Sequence, residues 1–220
     1  MEPQTQAETV AESQPKPESK NQRAYYKFCG HDLTITRDLT NDIGLSAIIW
    51  EAGIFLCRYF EKEKIDFTGK KIIELGSGTG IVGILAILLG AEVTLTDLPA
   101  ALDQIKFNIA TNVPPSLRHR SKVAALCWGV DQHSFPSDYD IILGSDIVYS
   151  RSKYSALLET LNDLSNPRSL IYLSSKMREH MGAVTFHSSM APEYFNSEIV
   201  HQENDNDINI FKMAKKPPAS

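Results

Sequence analysis

The chain has 220 residues, 42% hydrophobic and 22% charged, with a formal net charge of −5. That length supports one α/β domain with a core of its own, and the acidic balance argues against a nucleic-acid binder, which shows a basic face. Three widely spaced cysteines, Cys29, Cys57 and Cys127, point to free thiols in a reducing compartment and not to a disulfide framework.

Residues 1–22 contain no aromatic residue and one β-branched aliphatic, Val10. Such a segment buries too little apolar surface to offset its ordering entropy, so a disordered tail is expected there, with one domain over 23–220. The start lacks the basic-then-apolar pattern of a signal peptide. The longest apolar run, 81–91, is interrupted by glycines and too short to span a bilayer. A cytoplasmic or nuclear protein without membrane association is expected.

"YYKFCGHDLTITR", residues 25–37, predicts two short strands around a Gly30-His31-Asp32 turn. Asn41 or Asp42 then caps a helix whose core-facing stripe carries Ile43, Ala47, Ile48, Trp50, Ile54, Phe55 and Tyr59. The rest alternates. Strands are predicted at 71–75, 92–96, 122–126, 140–144 and 170–174. Helices are predicted at 81–89, 100–112 and 153–164, with a weaker one at 179–190. Pro99 suits a helix first turn, and the apolar "IIL" at 141–143 implies a sheet covered on both faces. Two last strands, 196–201 and 208–213, flank the polar "ENDND" and read as a terminal hairpin. The result is an α/β fold with an open, mostly parallel sheet and one antiparallel strand. His180 and His187 fall on one face of the weak helix, but no CxxC or HxxxH spacing supports a metal, and none is expected.

The chemistry is concentrated at "KIIELGSGTGIVGILAILLGAEVTLTDLP", residues 71–99. In open α/β sheets, ligands bind beyond the carboxyl ends of the strands. Gly76 permits a sharp exit from the strand, Gly78 a close backbone approach, and Gly80 the packing of the following helix. Asp97, ending the next strand, can accept hydrogen bonds from a ribose diol. Residues 78–83 match G-x-G-x-x-G, the dinucleotide pattern. The tight turn should begin at Gly76, however, and in that register the last position is Ile81. The alternative is E-x-G-x-G-x-G, carried by Glu74, Gly76, Gly78 and Gly80. This resembles the first motif of class I S-adenosylmethionine-dependent methyltransferases, whose Rossmann-like sheet is the fold expected here.

The resemblance extends over about residues 25–215. "IIWEAGIFLCRYF", "ELGSGTGIVG", "VTLTDLP", "LCWG", "ILGSDIVY", "SSKMRE" and "DINIFKM" together resemble the methyltransferase-like 21 family of protein-lysine methyltransferases. It implies S-adenosyl-L-methionine as cofactor, contacted by Trp50, the backbone of Gly76, Ser77 and Gly78, Asp97, Trp128 and the backbone around Ser145. The family usually has alanine where Ser77 and Ser145 stand; both replacements are small. Asp146 and Tyr149 match the family's acid-x-x-aromatic motif, so Asp146 is expected to orient the lysine amine and Tyr149 to wall its pocket or offer a cation–π face. Carboxylates are weak bases toward an ammonium, which favours orientation over proton abstraction. The motif lacks the Pro-Pro of nucleobase amino-methyltransferases. The implied substrate is a lysine of elongation factor 1-alpha, with a chaperone or ATPase as the alternative, and a cofactor-binding scaffold without chemistry as the reading from another class. A monomer in the cytoplasm, nucleus or cytoskeleton is expected.

Overall fold

The computed structural model describes residues 21–39 and 43–217. Of the expected tail, 1–20 lie outside the described residues, as do Asn41 and Asp42, the expected caps, whereas Asn21 and Gln22 are strand residues paired with Asp38 and Arg37. The chain opens with a hairpin of β1 (Asn21–Phe28) and β2 (His31–Asp38). The turn is Cys29-Gly30, one residue earlier than the sequence suggests. Cys29 and Gly30 have φ of 52° and 79°, the doubly left-handed loop that matches strand twist. The Cys29 amide also donates to Glu61 Oε1 at 2.6 Å, which ties the turn to the next helix.

That helix, α1 (Glu51–Glu63), starts later than predicted. A 3₁₀ turn at Gly44–Ala47 comes first, and Ile48 and Trp50 are extended, with ψ of 137° and 138°. Two adjacent β-branched residues, Ile48 and Ile49, favour this break. Trp50 therefore stands at the N-cap of α1 and not within the helix.

The central sheet is built from β3 (Lys71–Leu75), β4 (Glu92–Asp97), β5 (Ser121–Ala125), β6 (Ile141–Ser145), β7 (Leu170–Lys176), β8 (Phe195–Glu203) and β9 (Ile208–Lys215). Their order is β5-β4-β3-β6-β7-β9-β8. β9 pairs antiparallel with both β7 and β8, so it is the single reversed strand expected from the sequence. Helices α2 (Ile81–Leu88), α3 (Leu102–Asn112) and α4 (Tyr154–Leu164) lie within a residue or two of their predicted bounds. The strands alternate between two cores. Ile72, Leu143 and Tyr172 pack with the hairpin, α1, α2 and α3, while Ile73, Leu75, Ile142 and Ile171 pack with α4 and Phe186.

The weak helix over 179–190 is broken into a 3₁₀ turn at Glu179–Met181, one turn at Ala183–Thr185 and a π turn at Phe186–Met190. Gly182, at φ 82°, interrupts it. His187 stacks on Phe211 at 3.7 Å, and its Nε2 meets Ser175 Oγ at 2.9 Å. The helix face that would have paired it with His180 does not exist.

Candidate active site

Strand order reverses between β3 and β6, since the chain proceeds from β3 to β4 and β5 on one side and from β6 to β7 on the other. A ligand site is expected beyond the strand ends at such a switch point. A cavity of about 270 Å³ opens there. Trp50, Gly76, Ser77, Gly78, Asp97, Trp128, Ser145, Asp146 and Tyr149 all line it. Ser46, Leu98, Lys153 and Arg178 line it too, and sequence reasoning had not placed them there.

The glycine loop is shaped by contacts on both sides. Gly76, at φ 60°, leaves so little room that a Cβ would stand 2.8 Å from Ile147 and 3.3 Å from the Trp128 ring. Gly78, at φ 55°, donates its amide to Asp97 Oδ2 at 2.7 Å. Ser77 contributes backbone only: its Oγ accepts the Thr96 amide at 3.1 Å, inside the β3–β4 seam. Close packing of α2 on the sheet falls to Gly83, where a Cβ would stand 2.5 Å from Glu74 Oε2. Glu74 is buried, and desolvation raises its pKa to about 8.

A row of amides on α3 fixes the loop to the hairpin. Gln104, Asn108 and Asn112 recur at four-residue spacing and so share one helix face. Asn112 and Asn108 accept the Thr34 and Thr36 amides at 2.7 and 2.9 Å, and donate back to the same residues' carbonyls. Asn108 also donates to Thr79 O at 2.9 Å, and Gln104 to Ser46 O and Gly78 O at 2.7 and 3.1 Å. The edge of β2 thus finds side-chain partners where it lacks a neighbouring strand. The spacing was visible in the sequence, but its partner was not.

Asp97 is 8% exposed. Its Oδ1 accepts the Leu98 amide at 2.7 Å and the Ser46 hydroxyl at 3.3 Å. Burial raises its pKa against these bonds. Oδ2 has one protein donor, Gly78, and so keeps acceptor capacity for a ligand hydroxyl.

At the other end of the cleft, Asp146 follows β6 with φ 54°, a strained value for a residue with a side chain. Its amide donates to Ser174 O at 2.7 Å. Its carboxylate is gripped by Arg178 through two bonds, of 2.7 and 2.8 Å, and accepts the Lys176 amide at 3.2 Å. The Asp146 side chain is 3% exposed and that of Arg178 17%. The guanidinium also lies 5.5 Å from the Trp50 ring. Among the described residues Trp50 thus makes a cation–π contact with a protein cation, Arg178. Tyr149 is 39% exposed at the rim, and burial together with the Asp97 charge raises its phenol. Ser145 turns its hydroxyl toward α1, 3.2 Å from where a Cβ on Gly53 would lie.

These residues fit a nucleoside joined to an amino acid. The glycine loop allows close backbone approach, the carboxylate at Asp97 suits a diol, and Leu98, Leu126 and Ile81 supply apolar walls. Read from the tight turn at Gly76, the dinucleotide pattern fails at its last position, where Ile81 stands in place of a small residue.

The comparisons with known proteins agree. A family model described as lysine methyltransferase matches residues 27–193. EEF1A lysine methyltransferase 3 of Xenopus tropicalis is 50% identical over 194 residues, covering 88% of this chain and 86% of its own. The Mus musculus protein of that name is 46% identical over 219 residues, covering 99% and 94%. Protein N-lysine methyltransferase METTL21A of Xenopus tropicalis is 38% identical over 194 residues, covering 86% of each. Among solved structures, a Thermus thermophilus 16S rRNA methyltransferase in complex with AdoMet and guanosine superposes with a TM-score of 0.67 at 16% identity, over 92% of this chain and 52% of that one. Fold and cleft define a class I methyltransferase that uses S-adenosylmethionine. More specifically, the chain belongs to the lysine methyltransferase family.

Proposed function

We propose that the enzyme methylates a lysine of elongation factor 1-alpha, with the amine received at Asp146. The near full-length identity to two relatives named for that activity carries the choice of substrate. Trp50, the backbone of Gly76, Ser77 and Gly78, Asp97, Trp128 and the backbone at Ser145 hold the cofactor; Asp146 and Tyr149 serve the lysine. Bound S-adenosylmethionine supplies an electrophilic methyl group on a sulfonium.

The remaining work is positioning, because an in-line displacement rewards alignment of the attacking atom. A lysine amine is nearly all protonated at neutral pH, with a reference pKa of ~10.4. Entry past the apolar walls at Leu126 and Ile147 disfavours its charge and makes the neutral amine more accessible. Asp146 provides a charged acceptor that fixes the nitrogen. Tyr149, half-exposed at the rim, flanks the aliphatic stem. The lysine is presented by a macromolecule and the protein acts as a monomer in the cytoplasm.

The test is methylation of recombinant elongation factor 1-alpha beside a whole-cell lysate with labelled cofactor, the modified lysine being located by mass spectrometry. One labelled lysine in elongation factor 1-alpha is expected. Labelling of a chaperone or ATPase instead would move the substrate while keeping the reaction.

A further inference from the structure

Asp146 faces the cleft, yet its carboxylate is already paired and largely occupied. Oδ1 accepts both the Lys176 amide and Arg178 Nη1, and Oδ2 accepts Arg178 Nη2. The same guanidinium stands over the Trp50 ring, 5.5 Å from its centroid. While this pair is intact the charge of Asp146 is already compensated, and a single acceptor position, on Oδ2, is left for a ligand.

We propose that Arg178 is a latch exchanged by the substrate: it occupies the position on Asp146 that the lysine amine takes, and it swings aside only when that amine arrives. This rests on the reading that Asp146 receives the amine. The exchange follows from electrostatics. Opening a largely buried ion pair without replacement leaves an uncompensated charge and is strongly unfavourable. A neutral side chain or water supplies no compensation, whereas the lysine arrives as its ammonium, replaces one cation by another, and releases its proton to solvent before methyl transfer. Arg178 thereby makes the site selective for a cationic side chain.

The surroundings allow the movement. Glu51, adjacent to Trp50 at the start of α1, pairs with Lys176 at 3.1 Å and is more than half exposed. Its charge already acts on Arg178, so it offers a nearby carboxylate for the released guanidinium. Arg178 itself lies outside any helix, ahead of the single 3₁₀ turn at Glu179–Met181, and Gly182 separates that turn from the helical run that begins at Ala183. The exchange also bears on product release. Each methyl added to the amine removes one N–H donor, so the five donors of the guanidinium compete better for Asp146 as methylation proceeds.

The test compares the full-length wild type with Arg178→Met and Arg178→Lys, at saturating cofactor and with recombinant elongation factor 1-alpha. A site that is open only a tenth of the time costs about ten-fold in apparent affinity. Arg178→Met should therefore lower KM for the protein about ten-fold or more while kcat stays within about three-fold, and n-butylammonium should inhibit it at correspondingly lower concentration. Arg178→Lys, which keeps the charge but loses the fork, should shift KM in the same direction by less. Raised KM, unchanged KM, or a kcat loss as large as that of Asp146→Asn would overturn the latch and make Arg178 a fixed partner of Asp146. Should Arg178→Met not fold, nitrogen NMR of the wild-type Arg178 guanidinium decides: inhibitory n-butylammonium should free its Nη groups to rotate, and an unchanged signal would overturn the proposal. Near-normal kcat in Asp146→Asn would instead remove the reading beneath it, whatever Arg178 does.

Discussion

Asp97 Oδ2 accepts the Gly78 amide at 2.7 Å, so the acid at the end of β4 also fixes the conformation of the loop after β3. In the proposed cofactor site, ligand contact and loop geometry thus depend on one carboxylate. Asp97→Ala removes both, and cofactor affinity should fall by the roughly 1.5–3 kcal/mol typical of charged hydrogen bonds, or somewhat more. Asp97→Asn keeps one acceptor for Gly78 and should lose less. Calorimetric titration with S-adenosylmethionine checks the order; equal affinity in wild type and Asp97→Ala would remove this residue from the site.

Asn108 links the fold to the site more directly than any residue within the loop itself. Its side chain bonds Thr36 N, Thr36 O and Thr79 O, all within 3.0 Å. Asn108→Leu strands these buried groups, at about 1–3 kcal/mol for each left unsatisfied. Urea unfolding should show a loss on the order of 3 kcal/mol, accompanied by weaker cofactor binding because Thr79 belongs to the glycine loop. Asn112→Leu, whose side chain bonds Thr34 and Asn108 O but not the loop, should lose stability with cofactor affinity kept.

Two buried groups titrate with opposite sign. Burial raises the Glu74 carboxyl from 4.5 to about 8 and lowers the His187 imidazole from 6.5 to about 3. For Glu74 the folded state binds more protons than the unfolded state between those values, so its contribution is full below pH 4.5 and fades as pH rises through 8. For His187 the unfolded state binds more, so stability is lost as pH falls from 6.5 toward 3. Between pH 6.5 and 8.5 Glu74 acts without His187. The wild-type urea midpoint should decline over that window, and Glu74→Gln should flatten the decline. His187→Phe, which keeps a ring on Phe211, should soften the acid limb. A wild-type midpoint that climbs from pH 6.5 to 8.5 would contradict the Glu74 assignment.

Much of the fold was legible because its signals are local. Apolar runs, glycines and Pro99 mark the strand and helix ends with little help from distant residues. Trp50 was misplaced because an apolar stripe of helical spacing continues across Ile48 and Ile49, where the backbone is extended. Gly76, Gly78 and Asp97 were legible from their places at strand ends, and the residues that the family resemblance implied, Trp50, Ser77, Trp128, Ser145, Asp146 and Tyr149, line the same cleft. Arg178 was not legible as part of the site. Its place depends on a left-handed backbone at Asp146 and on the neighbouring strand β7 delivering residue 178 to the same point. Ser77 shows the reverse case: a polar side chain in a ligand loop that turns into the sheet seam.

The central claim is that Asp146 orients a lysine amine for methyl transfer without holding the cofactor. The most direct measurement is steady-state methylation of recombinant elongation factor 1-alpha by wild type and Asp146→Asn, with cofactor affinity of both measured by calorimetry. Asparagine preserves shape and one acceptor but loses the charge. Cofactor affinity should stay within about three-fold, while kcat and kcat/KM fall together by about 100-fold, as expected when a contact made in the transition state is lost. Near-normal kcat in Asp146→Asn, with the cofactor bound and the protein folded, would contradict the claim.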